Sequence, residues 1–158
     1  RTHEGHLVEG VLIPTDERKT ACVSSQIGCS LSCKFCATGY IDRKRNLNYD
    51  EIYDEVVLIN QQSERVYEKK LTNIVFMGMG EPLLNYKNVL KAIEKITSPD
   101  GLGMSPRRIT VSTAGVAKQI RQLGDDEVRF KGLLLCFMPE DLLTEHGSGP
   151  PTDKTKCQ

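Results

Sequence analysis

Three cysteines, Cys29, Cys33 and Cys36, fall within eight consecutive residues. Spacings of four and three allow their thiolates to wrap one small inorganic cluster from a single loop. A four-iron, four-sulfide cube normally takes four cysteine ligands, so three from this loop would leave one iron open to a substrate or cofactor. Zinc is the other chemistry open to such thiols, with Cys22 or a histidine as the fourth ligand. Zinc knuckles favour paired Cys-x2-Cys units, and only Cys33–Cys36 has that spacing. Unliganded buried cysteine is a poor account of three thiols so close together.

The rest of the composition suits a chain that holds such a loop in a folded domain. At 158 residues it is long enough for one domain with a real core, and 39% hydrophobic with 27% charged residues is ordinary for a soluble globular protein. Twenty-one Lys and Arg balance twenty-one Asp and Glu, which argues against a general polyanion-binding surface but leaves room for a local basic patch. No apolar run approaches the roughly 20 residues of a membrane helix, and no signal-peptide pattern opens the chain. Cys22, Cys29, Cys33 and Cys36 crowd together while Cys136 and Cys157 lie far off. That distribution favours metal or redox chemistry in a reducing compartment over a disulfide framework, so a cytoplasmic setting is expected. The chain starts with Arg1 rather than Met, and residues are expected upstream of it.

The elements that must position the loop can be read from periodicity. Leu7–Pro14 alternates loosely as a strand, Thr15–Lys19 is a turn, and Thr20–Ser24 is a strand leading into the cysteines. Asn48-x-x-Glu51 is a capping box, followed by Ile52, Val56 and Ile59 at helical spacing to about Tyr67. Asn73–Met77 is a buried strand ended by Gly78-Met79-Gly80. Val89, Leu90, Ile93 and Ile96 mark a second helix, stopped near Pro99-Asp100-Gly101. Ile109–Ser112 is a β-branched strand, and a short helix from Val116 ends at Gly124. Alternating strands and helices imply parallel strands with helical crossovers, an α/β layer or barrel.

Around the cysteines the sequence resembles a known family. Cys22-Val-Ser-Ser-Gln-Ile-Gly-Cys29, Cys36-Ala-Thr-Gly39 and Arg45-Asn46-Leu47 are similar to blocks of the RlmN-like radical S-adenosylmethionine (SAM) adenine C2 methyltransferases. So are Gly78-Met-Gly-Glu81-Pro-Leu-Leu-Asn85 and Arg107-Arg-Ile-Thr-Val-Ser112-Thr-Ala-Gly115, and the likeness runs over about residues 7–131. The aromatic Phe35 before the last cysteine belongs to the same pattern. The resemblance implies an α/β fold: a partial radical SAM (β/α)6 barrel of about three βα units. The end from Glu145 to Gln158, rich in Gly, Pro, Thr and Lys and without apolar periodicity, reads as a disordered C-terminal tail. The resemblance divides the chain into an N-terminal strand and turn (1–19), the partial radical SAM domain (20–131) and a divergent tail (132–158).

The resemblance also implies roles. Cys29, Cys33 and Cys36 would hold a 4Fe–4S cluster whose open iron chelates SAM, and electron transfer would then yield a 5′-deoxyadenosyl radical. Gly80 and Glu81 match the family's SAM-binding pair; glycine admits close backbone approach, and a carboxylate accepts from the SAM amino group. Ser112 matches a serine that contacts SAM from the next strand. Glu9 matches a proton acceptor, 13 positions before Cys22. Cys22 matches the cysteine that resolves a protein–RNA adduct by disulfide exchange, a reaction suited to thiolates. The implied substrates are 23S rRNA and certain tRNAs, and the implied reductant is a protein such as flavodoxin or ferredoxin. Arg43-Lys44-Arg45 and Arg107-Arg108 are candidate phosphate contacts.

Two alternatives stay open: a Cfr-type enzyme acting on carbon 8 of the adenine, and a zinc-binding module without activity. Gly80–Asn85 favours carbon 2. After Lys131 the chain leaves the family pattern, and neither Cys136 nor Cys157 takes the place of the family's methyl-carrying cysteine. A frameshift near Lys131 would account for the change, and the chain by itself is expected to be inactive in methyl transfer.

Overall fold

In a computed structural model of the chain, residues 1–31, 33, 36–126 and 130–134 are described. Phe35, Cys136, Cys157 and the expected tail from residue 135 onward lie outside them.

Strand β1 (Val11–Pro14) turns through Thr15 and Arg18 into β2 (Lys19–Cys22), and the two pair antiparallel. Thr15 closes the turn, its N–H donating to the Arg18 carbonyl at 2.8 Å. β1 is the sheet's edge, and Pro14, which lacks an N–H, ends it. Residues 7–10 are not part of the strand, which is shorter than its loose alternation suggests.

Two-residue strands β3 (Gln26–Ile27) and β4 (Arg45–Asn46) form a separate antiparallel pair. Helix α1 (Tyr49–Tyr67) then starts on the expected capping box, with the Asn48 N–H donating to Glu51 Oε2 at 2.9 Å. Strand β5 (Asn73–Phe76), helix α2 (Tyr86–Thr97), strand β6 (Ile109–Thr113), helix α3 (Ala117–Asp125) and strand β7 (Lys131–Leu134) follow in alternation. The main sheet runs β1-β2-β5-β6-β7, and every pairing after β1–β2 is parallel.

The three expected βα units are therefore β2–α1, β5–α2 and β6–α3. β7 carries the sheet three residues past the expected boundary at 131. An open parallel edge on β6 presents unpaired backbone groups, and the next extended stretch satisfies them.

One core joins helices and sheet. Ile52, Val56 and Ile59 of α1 and Val89, Ala92, Ile93 and Ile96 of α2 pack with Ala21, Ile74, Phe76, Ile109 and Val111 of the strands. These are the same positions whose spacing marked the helices, because a 3.6-residue period puts them on one stripe. α3 buries no residue fully, so it is the peripheral member. Because β2, β5 and β6 are parallel, their C-terminal ends lie on one side of the sheet. Cys22, the Gly78–Glu81 turn and Ser112–Ala114 are all delivered there.

Candidate cofactor site

The cluster loop leaves β3 at Gly28, whose φ of +73° is in the left-handed region, and a Cβ there would lie 2.3 Å from the Asp42 carbonyl oxygen. Only glycine lets the two arms of the loop meet so closely. They are tied at this neck. Cys29 bridges to Asp42, its N–H donates to the Ile41 carbonyl at 3.1 Å, and the Lys44 N–H donates to the Ile27 carbonyl at 2.8 Å. Inside the loop the Cys36 N–H donates to the Cys33 carbonyl at 3.1 Å, and the Leu31 N–H donates to Cys29 Sγ at 3.4 Å.

Cys29, Cys33 and Cys36 are half-buried free thiols. Burial pushes Cys29 and Cys33 up, and the charges of neighbouring cysteines and of Glu81 push the same way. Cys29 and Cys33 thus both sense Glu81 and their neighbouring thiols. Among the described residues no three His, Cys, Asp or Glu side chains converge on one ion.

Cys22 is held apart from this group, at the end of β2 opposite Val75. Burial raises its thiol pKa, a backbone hydrogen bond from Met77 opposes the rise, and the Glu55 charge adds to it. Glu55 projects from α1, with both carboxylate oxygens 3.2 Å from the Ser24 N–H. A Cβ on Gly10 would sit 2.7 Å from Glu55 Oε1, so the carboxyl is roofed by bare backbone. Burial pushes its pKa up to about 8 against a partial offset from the Ser24 hydrogen bond. Glu9 is exposed, and its carbonyl oxygen accepts from Ser24 Oγ at 2.7 Å.

The turn after β5 faces the cysteine loop. Gly80 takes φ +90°, and a Cβ on it would lie 2.4 Å from Gln26 Cβ. Glu81 is only 4% exposed. Its Oε1 accepts from the Leu83 N–H at 3.0 Å and from Thr113 Oγ1 at 2.6 Å, and its Oε2 accepts from the Ala114 N–H at 2.7 Å. An ionised carboxylate has about four acceptor positions, so protein donors leave room for one more. Ser112, one residue before Thr113 on β6, is buried, and its Oγ has no hydrogen-bond partner. A buried hydroxyl left unpaired is costly, so an orphaned Oγ at this end of the sheet suits a polar ligand. Three thiols, a glycine turn, one free carboxylate position and an orphaned hydroxyl are a donor set that fits a cluster with an amino-acid-bearing cofactor.

Residues 23–130 match the family model described as the radical SAM superfamily. The chain belongs to the radical SAM superfamily. Its members use a 4Fe–4S cluster and SAM, the two groups this donor set suits. A protein of Cytophaga hutchinsonii named "Probable dual-specificity RNA methyltransferase RlmN" is 66% identical over 142 residues, which cover 90% of this chain and 39% of that protein. The Syntrophobacter fumaroxidans protein named "Dual-specificity RNA methyltransferase RlmN" is 54% identical over 121 residues, 77% of this chain and 35% of that one. Among solved structures, a radical SAM methyltransferase from Sphaerobacter thermophilus superposes with a TM-score of 0.81 at 39% identity, over 85% of this chain and 39% of that one. The chain thus spans about two-fifths of the length of these radical SAM relatives.

Of the residues singled out from the sequence, the fold brings together Cys29, Cys33, Cys36 and Glu81, and Ser112 lies on β6 one residue before the Thr113 that holds Glu81. Cys22 stands apart with Glu55. The basic cluster is largely occupied: Arg45 is bidentate to Glu51 at 2.7 and 2.8 Å and also meets Glu4 at 2.7 Å, while Arg43 donates to Asn46 Oδ1 at 3.1 Å. Arg108 donates to the Thr72 carbonyl at 3.2 Å. Thr113, Gln26 and Glu55 were missed. Thr113 and Gln26 both lie in matched blocks, where the resemblance could have pointed to them, but nothing in the spacing of Glu55 sets it apart.

Proposed function

We propose that this chain is the cluster- and SAM-binding part of an RlmN-like methyltransferase acting on carbon 2 of an adenine in 23S rRNA and certain tRNAs. The observation that carries this reading is the pairing of two separate thiol environments: a three-cysteine loop against Glu81, and a lone Cys22 at a neighbouring strand end. An enzyme that only cleaved SAM would have use for the first. The second suits a reaction that must also break a protein–RNA bond through sulfur.

When bound, the cluster and SAM supply one-electron chemistry that activates a methyl carbon. The chain's own residues bind and orient. Cys29, Cys33 and Cys36 would anchor the iron, Glu81 would offer its remaining acceptor position to the SAM ammonium, and Gly80 would admit the ligand against backbone. The Ser112 hydroxyl would donate to or accept from the same ligand. Cys22 is the resolving thiol, and Glu9 is the proposed proton acceptor, supported by the bond from Ser24 that holds its backbone close to the end of β2. The setting is the cytoplasm, where thiols stay reduced, and the electron comes from a small donor such as flavodoxin or ferredoxin.

The test is a chimera in which residues 7–131 replace the matching segment of the Cytophaga hutchinsonii relative. It is expected to form 2-methyladenosine in ribosomal RNA under anaerobic reduction, read by mass spectrometry of digested RNA. Product at carbon 8 would instead support the Cfr-type alternative. A soluble chimera that binds iron, cleaves SAM and methylates nothing would sink the proposal.

A further inference from the structure

Gln26 is fully buried, with no exposed surface, yet no chemistry described so far uses it. Both ends of its amide are committed. Gln26 Oε1 accepts from the Glu81 N–H at 2.9 Å, and Gln26 Nε2 donates to Asn46 Oδ1 at 2.7 Å. Asn46 stands directly across from it in the β3–β4 pair and also donates to the Leu84 carbonyl at 3.3 Å. The Gln26 backbone N–H meets the Met79 carbonyl at 3.2 Å. Its Cβ and Cγ lie where a side chain on Gly80 would have to go, at 2.4 and 2.6 Å. One residue therefore grips the turn after β5 by backbone, by side-chain oxygen and by van der Waals contact.

We propose that Gln26 is a positioning residue that fixes the Gly80–Glu81 turn against the cluster loop, setting where the Glu81 carboxylate stands relative to the open side of the cluster. The inference rests on the reading of Gly80, Glu81 and Ser112 as the SAM contacts. Glu81 is held from two sides. Thr113 and Ala114 of the β6 end fix its carboxylate, and Gln26 fixes its backbone nitrogen from the side of the cysteines. Without the second hold, the turn keeps its attachment to β6 and loses its register with the loop that carries the iron. A ligand that must touch both at once is sensitive to displacements of about 1 Å.

Gln26→Met keeps the length and volume and removes both hydrogen bonds. The test uses the whole chain reconstituted anaerobically with iron and sulfide. Iron and sulfide are counted, the reduced cluster is followed by electron paramagnetic resonance with and without SAM, and SAM affinity is measured by equilibrium dialysis.

The expected result is unchanged iron and sulfide, SAM affinity reduced by about tenfold or more, and loss or weakening of the shift that SAM causes in the cluster signal. Wild-type affinity and a wild-type shift in Gln26→Met would overturn the proposal. Loss of iron would also overturn it, because Gln26 would then be holding the loop itself. Failure of the underlying reading looks different. In that case Glu81→Gln and Ser112→Ala bind SAM like wild type, or the wild-type cluster signal ignores SAM altogether.

Discussion

Replacing Glu55 by Gln should remove a pH dependence of stability that the wild-type chain carries. Glu55 is roofed by Gly10 and has the Ser24 N–H as its hydrogen-bond donor, and burial lifts its pKa from 4.5 to about 8. The unfolded carboxyl loses its proton near 4.5, while the folded one keeps it until about pH 8. Between those values the native state binds more protons, so stability is fully present below the unfolded pKa and drains away as pH rises towards 8. At about 1.4 kcal/mol per pH unit, that window caps the loss at about 5 kcal/mol. Glu55 is only partly enclosed, and water at its open edge brings the expected effect to about 2 kcal/mol.

Glutamine keeps the acceptor for Ser24 and never ionises. Urea unfolding of both proteins from pH 5 to pH 9 should therefore show the variant gaining on wild type by about 2 kcal/mol as pH rises. Equal slopes for the two proteins would refute the burial argument. Peptide-resolved alkylation offers a second reading of the same group. The Glu55 charge pushes the Cys22 thiol up, so Glu55→Gln should let Cys22 react at lower pH.

Replacing Cys29, Cys33 or Cys36 with Ala should abolish the cluster, while Cys22→Ala should retain iron and sulfide near four per chain. Loss of iron in Cys22→Ala would make Cys22 a fourth ligand and undo the separation of the two thiol environments. Arg45→Met should cost about 1–2 kcal/mol at pH 7, because Arg45 is bidentate to the Glu51 that also caps α1. Arg45 and the Asn48 N–H hold the Glu51 carboxyl below its ordinary value, so that difference should vanish as acid protonates Glu51, and a gap that persisted there would point to lost packing instead.

The helices and parallel strands were legible because their stabilising contacts are periodic. Ile52, Val56 and Ile59 repeat on one stripe, and Asn48 with Glu51 marks where that stripe begins. The cysteine loop was legible for a different reason: thiol spacing reports ligand geometry without reference to the fold. β3 and β4 escaped notice because two-residue strands have no period. Gln26 and Glu55 escaped because their importance comes from partners 55 and 31 positions away, Glu81 and Ser24. Glu55 looks like a solvent-facing helix residue until Gly10 is folded over it. Arg45 shows the converse, since a basic run reads as a phosphate contact until its carboxylate partners come into place.

The neck of the cysteine loop has a consequence for how the domain ages and evolves. The loop is closed by Gly28, the Cys29–Asp42 bridge and the β3–β4 pair, all made of polypeptide. The neck is therefore tied by polypeptide contacts on both arms. Oxygen that strips the metal should leave the amides of β2, β5 and β6 as protected from hydrogen exchange as before, so that damage is local and repairable by reloading. The same insulation separates two kinds of inheritance. Most side chains outside the noose answer to the sheet alone, while Gln26, Gly80 and Glu81 answer to both the sheet and the loop and are the positions least free to drift.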